Sequence, residues 1–415
     1  MRRIFIDHNR VVCRDDRIAR CLAILWLGFL IGLAAAPQST RAATSESLVT
    51  SITPLRLKST DAWTEEPRET NLNSAGDALQ QLNDHDGVMI DPPSEEQTLT
   101  GDSIIGDAMP MRSGMPSSLA HTVPGDRLWL ISTRSITYNA CRANLSQPGL
   151  NISRLDKCGR RRPSSLDDYL ATMAVDRPRL IYIHGNRREA DVAITRGIEV
   201  YRELSRKCSA SIPIDWVIWS WPSDRETFII SDARIKAERS DTQGLYLAWL
   251  LRHHVANGQP TGLIGFSFGA RVISSGLHAL AGGCIKGRHL EGPPTTNAGF
   301  DVGMLAPAVV SSWLRRGGRH AMATKNMDSL VLLYNHKDFL LKNYWLVNRV
   351  KGSTALGYSG PVSFAPRFDG SRLPVRSKDC AASVGSAHSE KEFYQRSCCA
   401  GHEMAKLIPA TLTRQ

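Results

Sequence analysis

The stretch Thr261 to Ala270, TGLIGFSFGA, runs from an apolar β-type segment straight into a helical pattern, with Gly265-Phe266-Ser267-Phe268-Gly269 at the junction. A serine on so sharp a strand-to-helix turn requires small neighbours two places before and two places after it, and both are glycine. Such a turn lifts the Ser267 hydroxyl clear of a sheet and sets it at the positive end of the next helix, where developing negative charge is stabilised. A glycine-rich turn without chemistry has the same local pattern, so the flanking sequence has to decide.

Outward from this junction the chain alternates between two periods. Arg127 to Arg134, Arg179 to His184, Ile214 to Trp219, Gly299 to Val310 and Ser329 to Tyr334 read as strands. Leu166 to Ala174, Ala190 to Lys207, Ile229 to Val255, Ala270 to Ala281 and Glu392 to Leu407 read as helices; in the second, Ile194, Ile198, Tyr201 and Leu204 recur at helical spacing. Strands alternating with helices predict an α/β fold: a mostly parallel, doubly wound sheet with helices on both faces and function at the carboxyl ends of the strands. Trp216/Ile218 and Val217/Trp219 are expected to cover the two faces of one buried strand. Arg234, Lys236 and Arg239, mixed with Asp232 and Glu238, read as a solvated helix face.

Two further signals sit at strand ends. His184-Gly185-Asn186 closes the strand that begins at Arg179, and an acyl-transfer site takes one oxyanion donor from the residue after its nucleophile and another from such an earlier loop. The candidate backbone donors are therefore Phe268 and Asn186, with Arg187 the alternative to the latter; His184 reads as a packing residue. Beyond the serine, Asp338 follows the strand SLVLLY, and His388 lies in Gly385-Ser386-Ala387-His388, which gives the order nucleophile, acid, base. His402, inside a helical pattern, and Asp301 and Asp379, at less suitable junctions, are the competing assignments.

Taken together, R-L-I-Y-I-H-G-N (179–186), W-V-I-W-S-W-P-S (216–223), G-F-S-F-G (265–269), L-L-Y-N-H-K-D-F-L-L (332–341) and G-S-A-H (385–388) resemble the α/β-hydrolase superfamily, and more narrowly an uncharacterised bacterial branch of it. The resemblance spans about residues 126–408 and implies Ser267 as nucleophile, Asp338 as acid and His388 as base. The expected activity is that of a serine hydrolase acting on an ester, thioester or amide through an acyl-enzyme, with a small-molecule or lipid-like acyl substrate that the resemblance itself does not specify. Acyl transfer by the same triad and a non-catalytic binding or scaffold role are the alternatives.

The flanks have another character. The chain has 415 residues and a net charge of +11, which could signal nucleic acid if the charge were concentrated. It is not concentrated: residues 1–43 hold seven Arg against three Asp, residues 44–125 hold four basic against thirteen acidic residues, and the remainder is scattered apart from short clusters such as Arg160-Arg161-Arg162. No nucleic-acid partner is expected, whereas the basic body suits an anionic envelope surface. Leu22 to Ala36 is an uncharged apolar run behind six arginines, too short for an ordinary membrane span and of the length of a secretory leader. Residues 1–43 are thus expected to be a signal peptide, cleaved after Ala42, or an uncleaved anchor; 44–125 an acidic flexible spacer; and 126–415 the hydrolase-like domain. Export to the periplasm, the exterior or the outer side of a membrane follows. Cys141–Cys158 and Cys380 with Cys398 or Cys399 are the candidate bridges, Asn144 and Asn151 head glycosylation sequons, and no metal or other cofactor is expected.

Overall fold

Nine strands make up the sheet: β1 (Arg127–Ser132), β2 (Asn151–Leu155), β3 (Arg161–Ser164), β4 (Arg179–Ile183), β5 (Asp215–Ser220), β6 (Thr261–Phe266), β7 (Phe300–Leu305), β8 (Met327–Tyr334) and β9 (Val375–Asp379). The computed structural model describes residues 125–156, 160–210, 212–397 and 399–412. The leader expected over 1–43 and the spacer over 44–125, Gly125 apart, lie outside the described residues. The strand order is β3-β2-β1-β5-β4-β6-β7-β8-β9. All neighbouring pairs are parallel except those made by β2, which runs antiparallel to both β1 and β3.

The helices are α1 (Leu166–Ala171), α2 (Ala190–Lys207), α3 (Ile229–Ala256), α4 (Phe268–Leu280), α5 (Phe339–Lys342), α6 (Trp345–Asn348), α7 (Leu356–Ser359), α8 (Ala381–Val384), α9 (Glu390–Arg396), α10 (Ala400–Ala405) and α11 (Leu407–Leu412). They lie on both faces of the sheet, because side chains alternate along each strand. From β5, the Trp216 ring lies 5.8 Å from that of Tyr201 on α2, and its indole N–H donates to Gly197 O at 3.1 Å. Three residues on, Trp219 points the other way and donates to Gln243 Oε1 on α3 at 3.3 Å. Trp216, Val217, Ile218 and Trp219 are all fully buried, as their apolar run predicts for a strand covered on both sides.

The amino-terminal ends of three adjacent strands are pinned by one carboxylate. Asp215 accepts from Arg127 Nε at 2.6 Å and from Arg179 Nη2 at 2.6 Å, while the Arg179 guanidinium also lies 4.3 Å over the Tyr169 ring. Arg179 and Asp215 are fully buried, so the Arg179 charge depends on Asp215, which Arg127 also neutralises.

Three expectations change. The hairpin β2–β3 and the edge strand β9 are additions; β3 (RRPS) and β9 (VRSKD) are too polar to show a period-2 apolar signal. The closing helix expected over Glu392 to Leu407 is three short helices interrupted around Ser397 and Lys406. The charged stretch of α3 is not a solvated face: Asp232, Lys236 and Arg239 are buried. Their charges are matched internally, with Lys236 Nζ 2.9 Å from Glu226 Oε1 and Arg239 Nη2 2.9 Å from Glu226 Oε2. Charge alone could not distinguish that arrangement from exposure.

Cys141 is disulfide-bonded, and its expected partner Cys158 lies outside the described residues. The Cys380–Cys399 version of the second bridge is not formed. Both are free thiols, with Ser397 Oγ 3.6 Å from one sulfur and 3.2 Å from the other, and Cys398 lies outside the described residues.

Candidate active site

Ser267 stands between β6 and α4 with φ 53° and ψ −117°, a backbone conformation that L-residues rarely adopt. Its own amide anchors the strained turn by donating to Leu305 O at the end of β7, at 3.0 Å. The turn fits only because the chain is bare beside it: a Cβ on Gly269 would stand 2.0 Å from Ile183 O and 3.0 Å from His184 O. A Cβ on Gly185 would likewise stand 2.7 Å from Phe266 Cδ1 and 3.3 Å from Ser267 Cβ. The HGN loop therefore lies directly against the serine.

The three residues expected to act together do meet. His388 Nε2 is 2.9 Å from Ser267 Oγ, and His388 Nδ1 is 2.6 Å from Asp338 Oδ2. The arrangement that satisfies both contacts has the serine hydroxyl donating to Nε2 and Nδ1–H donating to the carboxylate. Asp338 is fully buried, and its second oxygen caps α5 by accepting from Leu341 N at 3.0 Å. Its carboxylate plane is thus fixed from two sides. The imidazole is held flat by Phe266, whose ring is stacked 5.2 Å away.

The donors proposed for an oxyanion lie beside the serine as well. Phe268 opens α4, and neither its N–H nor that of Asn186 makes a backbone hydrogen bond among the described residues outside the helical and strand ladders. The loop of Asn186 is braced on both flanks. Asn186 Nδ2 donates to Asp232 Oδ2 at 3.2 Å, while Arg188 N and Ser223 O close a bridge at 3.2 Å. Arg187, the alternative donor, has φ 55° and turns its side chain toward Asp232, at 3.9 Å.

His184 is a packing residue. It donates from Nδ1 to Gly185 O at 2.8 Å, accepts at Nε2 from Trp221 N at 3.2 Å, and stacks on the Trp221 indole at 5.7 Å. Burial pushes its pKa down to about 3, so it is neutral. The HGN and SWPS elements are therefore two halves of one contact, through His184–Trp221 and Arg188–Ser223. Of the competing site residues, His402 is exposed on α10, Asp301 is the second residue of β7, at the opposite end of the strands from Ser267, and accepts from Ser329 Oγ, and Asp379 pairs with His336.

Sequence reading missed Asn335. Fully buried in the loop after β8, it donates from Nδ2 to Gly385 O at 2.7 Å and accepts at Oδ1 from Lys337 N at 2.9 Å. Its place three residues before Asp338 was visible, but an Asx turn and a tie to a distant loop look alike in sequence. Among the described residues no group of three or more His, Cys, Asp or Glu side chains is placed to hold a metal ion.

The sheet order and the strand–serine–helix junction define an α/β-hydrolase fold. Among solved structures, an inhibited esterase B from Lactobacillus rhamnosis is 14% identical over 70% of this chain and 89% of that one, with a TM-score of 0.33. Thermogutta terrifontis esterase 2 phosphorylated by paraoxon is 10% identical over 59% of this chain and 88% of that one, with a TM-score of 0.27. No protein-family model matches the chain, and no curated protein matches it significantly.

Proposed function

We propose that the chain is a serine hydrolase that cleaves an ester, thioester or amide through an acyl-enzyme. The observation that carries this reading is the unbroken relay Ser267–His388–Asp338, at 2.9 and 2.6 Å, at the carboxyl edge of the sheet. Ser267 Oγ attacks the acyl carbonyl while His388 Nε2 takes the hydroxyl proton, and Asp338 stabilises the imidazolium that results. The N–H groups of Phe268 and Asn186 hold the oxyanion. His388 then returns its proton to the leaving group, and a water activated by the same nitrogen releases the acid and regenerates the serine. Acyl transfer to another acceptor shares the first half of this sequence. Action outside the cytoplasm, as the leader suggests, is supported by the disulfide at Cys141, since such bonds persist in oxidising compartments.

The test is labelling of the chain by a fluorophosphonate probe beside Ser267→Ala and His388→Ala, with ester hydrolysis measured over short and long acyl chains. Label on the wild type and none on Ser267→Ala is the expected result. A wild-type chain that neither labels nor hydrolyses any of the esters would overturn the reading in favour of a binding role.

A further inference from the structure

Exposed apolar side chains are unevenly placed on the described residues. Of nine exposed large hydrophobics, five fall on two short segments: Phe228 (83% exposed) and Ile235 at the start of α3, and Leu340, Trp345 and Val350 in and after α5 and α6. Phe228 caps the amino-terminal end of α3 and Ile235 lies two turns into it. The two segments are neighbours, because α6 packs on α3 and Arg234 Nε donates to Leu346 O at 2.9 Å.

On the α5–α6 side of these tips the exposed charge has one sign. Between residues 336 and 351 the exposed charged side chains are Lys337, Lys342, Arg349 and Lys351, and the one carboxylate, Asp338, is fully buried. Nearby acids on the α3 side are already matched, Glu226 with Lys236 at 2.9 Å and Glu238 with Lys286 at 3.2 Å. The patch also borders the proposed site: Tyr344, next to Trp345, has its ring 6.4 Å from that of Phe268, and Asp232, just after Phe228, holds Asn186.

We infer that this patch, built from the start of α3 and the α5–α6 segment, docks on an anionic lipid bilayer. Single aromatic and aliphatic tips set among lysine and arginine are the composition that inserts at a headgroup boundary while cations meet lipid phosphates. Docked in this way, the site would face the lipid, which gives the lipid-like acyl substrate a route to Ser267. That consequence rests on the hydrolase reading; the docking does not.

Hydrogen–deuterium exchange of the full chain tests it, with vesicles of phosphatidylcholine alone or with added phosphatidylglycerol. Peptides covering 228–235 and 339–351 should exchange about tenfold more slowly with the anionic vesicles only, in keeping with a few basic contacts to the surface. The protection should be lost in Lys342→Glu/Lys351→Glu and in Trp345→Ser, with exchange of the core strands unchanged as the control for folding. It should persist in Ser267→Ala, so failure of the hydrolase reading would not register as failure of docking. Absence of protection, or protection that survives the charge reversal, overturns the proposal. Protection already present without vesicles and removed by deleting residues 44–124 overturns it in favour of that acidic segment as the occupant.

Discussion

Asn335 donates its amide hydrogen to Gly385 O at 2.7 Å, so one side chain ties the loop that carries Asp338 to the loop that carries His388. Asp338 and His388 are 50 residues apart in sequence, and their 2.6 Å contact depends on the relative position of those loops. Asn335→Ala should lower kcat by about 10–100-fold with KM nearly unchanged, the scale expected when a reacting group shifts by a fraction of an ångström to an ångström. Asn335→Asp keeps the acceptor for Lys337 N but not the donor, and should share the loss. Steady-state kinetics of both variants check this, and an unchanged kcat would remove Asn335 from any positioning role.

The two oxygens of Asp338 have separable duties. Asp338→Asn retains an acceptor for Leu341 N but removes the charge opposite the imidazolium, so kcat should fall about 10⁴-fold with little change in stability. Asp338→Ala removes the helix cap too and should cost about 1 kcal/mol more in urea unfolding. Equal stability of the two variants would show that the cap contributes nothing.

Acid should weaken the fold before carboxylates titrate. His184, His254 and His320 are fully buried, and burial holds each well below its usual pKa, His184 at about 3. The unfolded chain binds protons at these positions below about pH 6.5 while the folded chain does not, so stability present above that value is lost as pH falls. Between pH 7 and 5.5 the three should together remove about 4 kcal/mol, measurable as a drop in the urea midpoint. A midpoint that stays level over this range would contradict neutral burial.

At the other end of the strands, Arg179→Ala should destabilise the fold by about 1.5–3 kcal/mol, because Asp215 loses one buried charged partner while keeping Arg127. A double-mutant cycle with Asp215→Asn checks that the loss comes from the pair. Activity per folded molecule should not change, since Asp215 lies at the far edge of the sheet from Ser267.

What sequence revealed and what it hid divide along physical lines. Helix α2 was legible to its ends because its apolar face repeats without a break, and β4, β5 and β6 because buried parallel strands are nearly all apolar. The meeting of Ser267, Asp338 and His388 followed from strand-end positions in a fold that brings those ends together. The fate of charged residues was not legible. Lys236 on α3 has the spacing of a solvated lysine, yet it is buried because Glu226 from a preceding loop reaches it. Edge strands β3 and β9 carry too few apolar residues to announce themselves.

The same edge strands give the arginine cluster at 160–162 a meaning that composition did not. Arg161, Arg162 and Pro163 lie on β3 and Arg376 and Lys378 on β9, the two outermost strands among the described residues. Open strand edges invite pairing with a second chain, and basic residues and proline on them oppose it. An added strand would have to desolvate these basic side chains, and the proline withholds an amide from it. Part of the positive charge thus lies where it disfavours pairing of the sheet edge with another strand.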